Sequence, residues 1–544
     1  MRTSKRGVLI VVVVLLLFPL VAVQAAKGVP PRQEKQTKTE TQYLWWLLPW
    51  GNPREVQCQI GIYHPDKPTP EEIYSACGWD LYQAWVNTPP CAAAAEGKAT
   101  TACKGYYLMF VGAREVTHTV TISYPPPTVE LHLSQACQPS LPHYRCPQPV
   151  QIVLHGVEFF PKAYINGIHA KASPEADVAC DLTDCVVTLP AAEDVPTTYH
   201  LTFWASSSWG DRTPEYSASV RITPLEDDPN VVVDVLSTQW RDEGVDACAQ
   251  AWQTFPPVPA PSWAKTPSDP QALSTDVPYA LLAKQLIQHG IVDASDCPQG
   301  GITADGATPC GMARARDAVA HWQNLFDEPL RQAALETGIP AVLFKRLIAH
   351  ESQFWPGDYA NTIEVGFGQL SPQGMDTLFL WDRQYFNTMC SQVLFPWVCR
   401  KGYLRLTPQE KQLLYGSLWV QANLTCSNCP YGVDLDRAEE SLSMFAHLIK
   451  AHCYQTGQTV TNLTRRPPGE VTSYEDMWRF TLANYNGPNC IYAALWETNH
   501  REEPLDWLHV SQHFTDGCQD VRGYVETLLP PSDTLAPPAS QIQK

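Results

Sequence analysis

The sequence predicts a multidomain chain in which N-terminal all-β modules precede a mainly α domain. Three observations carry that expectation: apolar residues between about 55 and 225 recur with a period of two, after about residue 275 they recur with a helical period, and prolines and acids crowd the stretch between. With 544 residues, more than one core is expected.

The elements follow in order. Arg2, Lys5 and Arg6 precede an apolar run from Gly7 to Val23, and Gln24-Ala25-Ala26 follows it. Residues 1–26 therefore read as an export signal, cleaved near Ala25 or Ala26 or else retained as an anchor. No later run reaches ~18 consecutive apolar residues, so membrane contact is expected only through this segment if uncleaved. Residues 27–125 read as a polar tether, from Lys27 to about Glu40, and a first β-rich module stapled by disulfides. Its run Tyr43-Leu-Trp-Trp-Leu-Leu-Pro-Trp50 suits either a packed strand or a membrane-surface contact. Val120, Ile122 and Tyr124 alternate with Thr and Ser before the break at Pro125-Pro126-Pro127.

Residues 126–225 form the second β module, in which Val129, Leu131 and Leu133 alternate with Glu130 and His132, and Leu201, Phe203 and Ala205 with Thr202 and Trp204. Half-buried strands of this kind resemble those of an immunoglobulin-like sandwich. Residues 226–311 read as a Pro-rich, semi-rigid linker, including Phe255-Pro-Pro-Val-Pro-Ala-Pro261, and a leading helix. In the helical domain that follows, Gly338-Ile339-Pro340 ends one helix and starts the next. Thr407-Pro-Gln-Glu410 is a capping box, and Ser473-Tyr-Glu-Asp476 resembles one with Asp in the acid position. The tail, 526–544, is rich in Pro and Ser and is expected to be disordered.

The 18 cysteines are an even number and fit an oxidising, exported setting, extracellular or in the cell envelope. Cys137 with Cys146, Cys180 with Cys185, and Cys390 with Cys399 are the preferred local pairs. Cys426-Ser-Asn-Cys429 has the spacing of half a zinc site, but no second such pair accompanies it, so a disulfide is expected and no metal or cofactor. The formal charge of −18 argues against a nucleic-acid partner and against electrostatic attraction to an anionic wall.

One carboxylate stands out. After Pro340, Leu343, Leu347 and Glu351 fall at i, i+4 and i+8, so Glu351 continues an apolar stripe. Desolvation there is expected to keep its carboxyl protonated, as a glycosidic general acid requires. Three segments then occur in order: His350-Glu-Ser-Gln-Phe-Trp-Pro356, Gly366-Phe-Gly-Gln-Leu-Ser-Pro372 and Leu482-Ala-Asn-Tyr-Asn-Gly-Pro488. Together they resemble the motifs of the soluble lytic transglycosylase family of the lysozyme superfamily. The resemblance covers residues 312–525 and implies a lysozyme-like (α+β) catalytic domain. It makes Glu351 the acid/base, and Ser352, Gln369, Tyr485 and Asn486 substrate-binding neighbours.

The resemblance implies cleavage of the β-1,4 bond between N-acetylmuramic acid and N-acetylglucosamine in peptidoglycan, with formation of a 1,6-anhydro ring. It needs no cofactor. The pattern departs where Ile363-Glu364 stand in place of two small residues, where one residue is missing after Asn486, and in five cysteines between Glu351 and Tyr485. Glu364 supports an alternative, a goose-type lysozyme in which a second carboxylate activates water. Asp358 and Asp376 are further candidates for that carboxylate. A third alternative is a catalytically inactive cell-wall-binding protein. The β modules carry no catalytic constellation and are expected to serve as spacers or to meet cell-envelope partners.

Overall fold

The computed structural model describes residues 30–89, 91, 103–190, 195–226, 228–357 and 364–530. The expected leader, most of the expected tail, and the loop residues Asp358 and Ile363 lie outside them. An N-terminal all-β region of three antiparallel sheets is followed by a mostly helical region.

The first sheet has the order β2-β1-β3. Strand β1 (Gln33–Pro49) pairs with β3 (Tyr106–Ser123) over its whole length, while β2 (Cys58–Ile62) covers only residues 43–47 of β1. The polar residues from Gln33 to Glu40, expected as a tether, are therefore a strand: Thr37 and Thr39 suit β structure, and β3 takes up their backbone groups. Val120 and Ile122 were expected to be half-buried, yet Val120 is exposed, because no layer covers either face of this two-stranded ribbon. At the far end the aromatic run becomes a packed strand. Trp45, Ile60 and Ile62 close on Ile73 of α1 (Pro70–Cys77) and Tyr82 of α2 (Trp79–Val86), with Cys58–Cys77 fastening sheet to helix.

Two sheets share the second core. One is β4 (Thr128–Leu133), β7 (Val150–Val157), β10 (Asp184–Leu189) and β9 (Asp177–Cys180). The other runs β5 (Gln138–Ser140), β6 (His143–Pro147), β13 (Asn230–Leu236), β12 (Tyr216–Pro224), β11 (Thr197–Ser207) and β8 (Ile165–Ser173). The alternating residues read from the sequence, Val129, Leu131, Leu133, Leu201, Phe203 and Ala205, all point into that core. The base of the ribbon is bolted to it. Arg32 donates to Glu158, to Asp211 at 2.7 Å and to Ser207 at 3.2 Å. Burial would raise the Glu158 carboxyl, but the bonds from Arg32, Ser207 and the Phe160 N–H outweigh it and hold it below its usual range.

The stretch expected as a linker is ordered and belongs to both halves. Residues 230–236 are β13, an inner strand of the second core, because Val231, Val233 and Val235 alternate into that core while Asp234 on the other face is taken up by His143 and Arg221. After it, α3 (Ala247–Trp252) inserts Trp252 among Trp478 and Tyr474, and Cys248 bonds Cys453 across 205 residues of chain. Closing so long a loop restricts the unfolded chain by about 5 kcal/mol on the chain-entropy scale. The prolines before Trp263 turn the chain back over this cluster instead of spacing domains apart.

The helical region continues as α4 (Ala280–Gln288), α5 (Pro309–Asn324), α6 (Asp327–Thr337), α7 (Ala341–Ser352), α8 (Pro372–Trp381), α9 (Arg383–Val393), α10 (Pro396–Cys399), α11 (Pro408–Ala422), α12 (Ala438–Thr464), α13 (Tyr474–Asn486), α14 (Pro488–His500), α15 (Trp507–Gln512) and α16 (Gln519–Leu528). Helix α12, 27 residues long, is the axis, buried from Leu442 to Cys453 except for its outermost side chains. Thr407 and Glu410 form the expected capping box, whereas Ser473 caps α13 without the reciprocal half. All 18 cysteines are paired in nine disulfides, the three preferred local pairs and Cys426–Cys429 among them. That pairing suits an oxidising extracellular environment. Among the described residues no helix is long and apolar enough to cross a membrane.

Asp246, the N-cap of α3, accepts from the Ala249 N–H at 2.8 Å and from the Tyr474 hydroxyl at 2.6 Å, and burial pushes its carboxyl up to about 6. An acid whose folded pKa is raised contributes stability that is present below its unfolded pKa, near 3.8, and lost as pH rises through about 6. Asp246→Asn cannot ionise and keeps the cap. Its thermal midpoint should match the wild type at pH 4 and exceed it increasingly toward pH 7, by up to on the order of 3 kcal/mol in stability. A difference that is flat with pH would mean that Asp246 ionises without penalty.

Candidate active site

The site is assembled from the end of α7, the turn before α8, the end of α13 and α16. Helix α7 begins at Pro340 and buries Leu343, Phe344, Leu347 and Ile348. Glu351 lies in its last turn, half-buried at the border of that apolar face. The chain then leaves the helix through two successive left-handed residues, Gln353 (φ 45°) and Phe354 (φ 66°). A wholly buried phenylalanine in that conformation is a strained position, held here by the bond from Trp322 Nε1 to its carbonyl at 3.0 Å. The Gln353 side chain caps α4 by accepting from the Leu281 N–H at 2.9 Å.

The second segment folds back against the first. Gly366 N donates to the Gly357 carbonyl at 3.3 Å, and Val365 and Leu370 bridge each other, so residues 366–369 form a closed turn. Gly366 has φ +76°, and a Cβ there would lie 2.4 Å from the Ala422 carbonyl oxygen. A Cβ on Gly368 would lie 2.4 Å from the ring of Phe445 on α12. Both glycines thus let the turn approach neighbouring elements more closely than any side chain permits. Gln369, at φ 48°, donates from Nε2 to the Gly366 carbonyl at 3.1 Å, and so clasps the turn it belongs to.

The third segment supplies Tyr485. Its hydroxyl donates to the Gly368 carbonyl, and its ring rests on His452 (5.3 Å between centroids) and Phe445 (5.9 Å). Burial, then the charges of Glu351 and Glu364, push the phenol well above its usual range, so it is a neutral donor at any physiological pH. Beneath it, burial lowers His452 to about 3. The neutral ring accepts from Asn484 Nδ2 at 3.1 Å through Nδ1, which puts its own proton on Nε2.

Tyr524, which the sequence reading did not single out, completes the site. Its hydroxyl donates to Glu351 Oε1 at 2.5 Å, and its ring meets His350 edge-on at 4.7 Å. Burial first, then Glu351, push this phenol up as well. Its signal was present: Val521, Tyr524, Val525 and Leu528 form the buried stripe of α16. The partner, 173 residues earlier in the chain, could not be read from that stripe.

The remaining expected residues are placed as follows. Ser352 is buried, and its hydroxyl donates back to the Ile348 carbonyl at 3.1 Å, within the helix. Asn486 is exposed at the end of α13, where Gly487-Pro488 starts α14 directly. Glu364 is exposed, and its charge bears on the same phenol, Tyr485, as that of Glu351. Asp376 is engaged elsewhere: Tyr403 and Tyr415 both donate to its Oδ1. No group of side chains suited to hold a metal ion occurs among the described residues. The arrangement offers one carboxyl group oriented by a neutral phenol, beside a rigid backbone turn and a second, exposed carboxylate.

No family model, curated protein or solved structure matches the chain.

A donor to a carboxylate favours its ionised form. Tyr524→Phe removes that donor and should raise the Glu351 pKa, so the alkaline limb of a pH–rate profile that needs the protonated acid moves to higher pH. An unmoved limb, with only a lower rate throughout, would reduce Tyr524 to a packing residue.

Proposed function

We propose that the chain is a peptidoglycan lytic transglycosylase with a lysozyme-like catalytic domain, and that Glu351 is its general acid and base. The observation that carries this reading is the gathering of Glu351, the Gly366–Leu370 turn and Tyr485 around one point, from three segments that match the family's motifs in order. Glu351 protonates the oxygen that leaves N-acetylmuramic acid as the C1–O bond breaks. The acetamido group of the same sugar stabilises the positive charge at C1. The Glu351 carboxylate then takes the proton of the C6 hydroxyl, whose oxygen bonds C1 to close the anhydro ring, and no water is consumed. Tyr524 orients the carboxyl and Tyr485 fixes the turn through the Gly368 carbonyl. Gln369 clasps that turn, and Ser352 is in this reading a residue of the helix end; Asn486 at the rim is the remaining candidate for a sugar contact.

The second reading, a goose-type lysozyme, is favoured by one observation: Glu364 stands close enough to Tyr485 for its charge to act on the phenol together with that of Glu351. A hydrolase would use Glu364 to activate water. The β sandwich is read as immunoglobulin-like, a spacer or a surface for cell-envelope partners, on the strength of its two sheets and shared core.

Mass spectrometry of muropeptides released from purified peptidoglycan separates the readings. Products one water lighter than reducing-end fragments are expected, with turnover lowered at least roughly a hundredfold in Glu351→Gln and little changed in Glu364→Gln. Reducing-end products lost in Glu364→Gln would establish the lysozyme instead. A wild type as inactive as Glu351→Gln would leave a wall-binding protein.

A further inference from the structure

The stretch from Arg383 to Gln409 contains four basic residues and no Asp or Glu, in a chain whose formal charge is −18. Its centre is a knob of two tight turns, α10 and the short 3-10 turn Tyr403–Arg405, fastened to α9 by Cys390–Cys399. Val398, Cys399, Tyr403 and Leu406 face inward and are buried. What remains outside is unusual in kind: Trp397 is 57% exposed and Leu404 78% exposed. Trp397 lies flat on Phe395, with centroids 4.2 Å apart and planes at 15°, so its ring is held and presented, not free to fold away.

Cations frame these apolar side chains. Trp397, Arg400 and Lys401 stand at i, i+3 and i+4 on one face of the turn, and Arg405 follows Leu404 directly. Arg400, Arg405 and Arg383 are exposed and form no ion pair with another described residue, while Lys401 is engaged with Glu410 at 3.1 Å. Tryptophan and leucine interleaved with guanidinium groups match the boundary of an anionic bilayer. There the ring sits at head-group depth, the aliphatic side chain reaches the acyl region, and the guanidinium groups meet lipid phosphates.

We propose that the knob from Phe395 to Arg405 docks the protein on an anionic phospholipid surface, with Trp397 and Leu404 entering the head-group layer and Arg400 and Arg405 pairing with phosphates. This adds a membrane contact to the one expected only from the N-terminal segment, and it does not depend on the catalytic reading. An enzyme so held would work at the face of the wall that lies against the membrane.

The test is co-sedimentation of the chain from Lys27 onward, which carries every described core and lacks the apolar run Gly7–Val23. Vesicles of phosphatidylglycerol with phosphatidylcholine are compared with phosphatidylcholine alone. Binding is expected to the anionic vesicles only, to weaken with added salt, and to fall roughly twenty-five-fold in Arg400→Gln/Arg405→Gln, at about fivefold per arginine. Trp397→Ser/Leu404→Ser should lose binding with an unchanged thermal midpoint, since both side chains are exposed. Equal binding to both vesicles, no binding, or variants that bind as the wild type would overturn the proposal. Variants that keep vesicle binding but lose binding to isolated peptidoglycan sacculi would assign the knob to the wall polymer instead.

Discussion

The site depends on how the segment after the sheets plugs into the central helix. Trp252 is wholly buried against Trp478, its Nε1 donates to the Cys453 carbonyl at 3.0 Å, and Cys248 bonds Cys453 itself. Cys453 follows His452, which carries the ring of Tyr485, and Trp478 lies on the same helix as Tyr485. The floor under Tyr485 is thus fixed from below by residues near position 250. Packing at this density transmits displacement, so a shift of Trp252 would reach the Gly368 carbonyl through α13.

Above that floor the electrostatics are simple. Two phenols face one carboxyl group, and burial and negative charge both keep them protonated. Tyr524 donates to Glu351 and Tyr485 to the Gly368 carbonyl, so each phenol orients its partner as a neutral donor. Two buried carboxylates elsewhere in the helical region are paired with cations. Asp382 is held below its usual range despite burial, which alone would raise it, by His447 at 2.6 Å and Lys450 at 3.3 Å, and Asp327 is met by Lys345 at 2.5 Å. Asp246 is instead met by the Tyr474 hydroxyl at 2.6 Å, so phenols as well as cations serve the structural carboxylates of this fold.

The wet ribbon shows how little apolar area an element needs when its ends are secured. At one end Arg32 binds Glu158 and Asp211, and Trp209 donates to the Pro30 carbonyl at 2.9 Å. At the other, the small core around Trp45 and Ile73 packs against Leu413 of α11. The ribbon therefore spans from the sandwich to the helical region, and backbone pairing with a few cross-strand side-chain bonds, such as Thr39 with Thr117 at 2.9 Å, shapes the length between.

Local chemistry was legible in the sequence. Period-two alternation gave the strands of the sandwich, because one face of each is buried; the Thr407 box and Pro340 gave helix starts, because caps act within one turn; and the order of three short segments pointed to Glu351 and Tyr485, because each segment folds as a unit. Cysteine content indicated an oxidising compartment for the same reason, being a property of composition. What only the tertiary structure decided depends on partners distant in the chain. The Pro-rich stretch became a strand and a buried tryptophan because β6, β12 and α13 receive it, and proline pattern alone cannot distinguish a turn over a core from a spacer. Tyr524 reached Glu351 because α16 docks on α7. Asp376 left the candidate list because Tyr403 and Tyr415 claim it. Ser352, next to the acid in sequence, turned inward, because on a helix adjacent residues point about a quarter-turn or more apart.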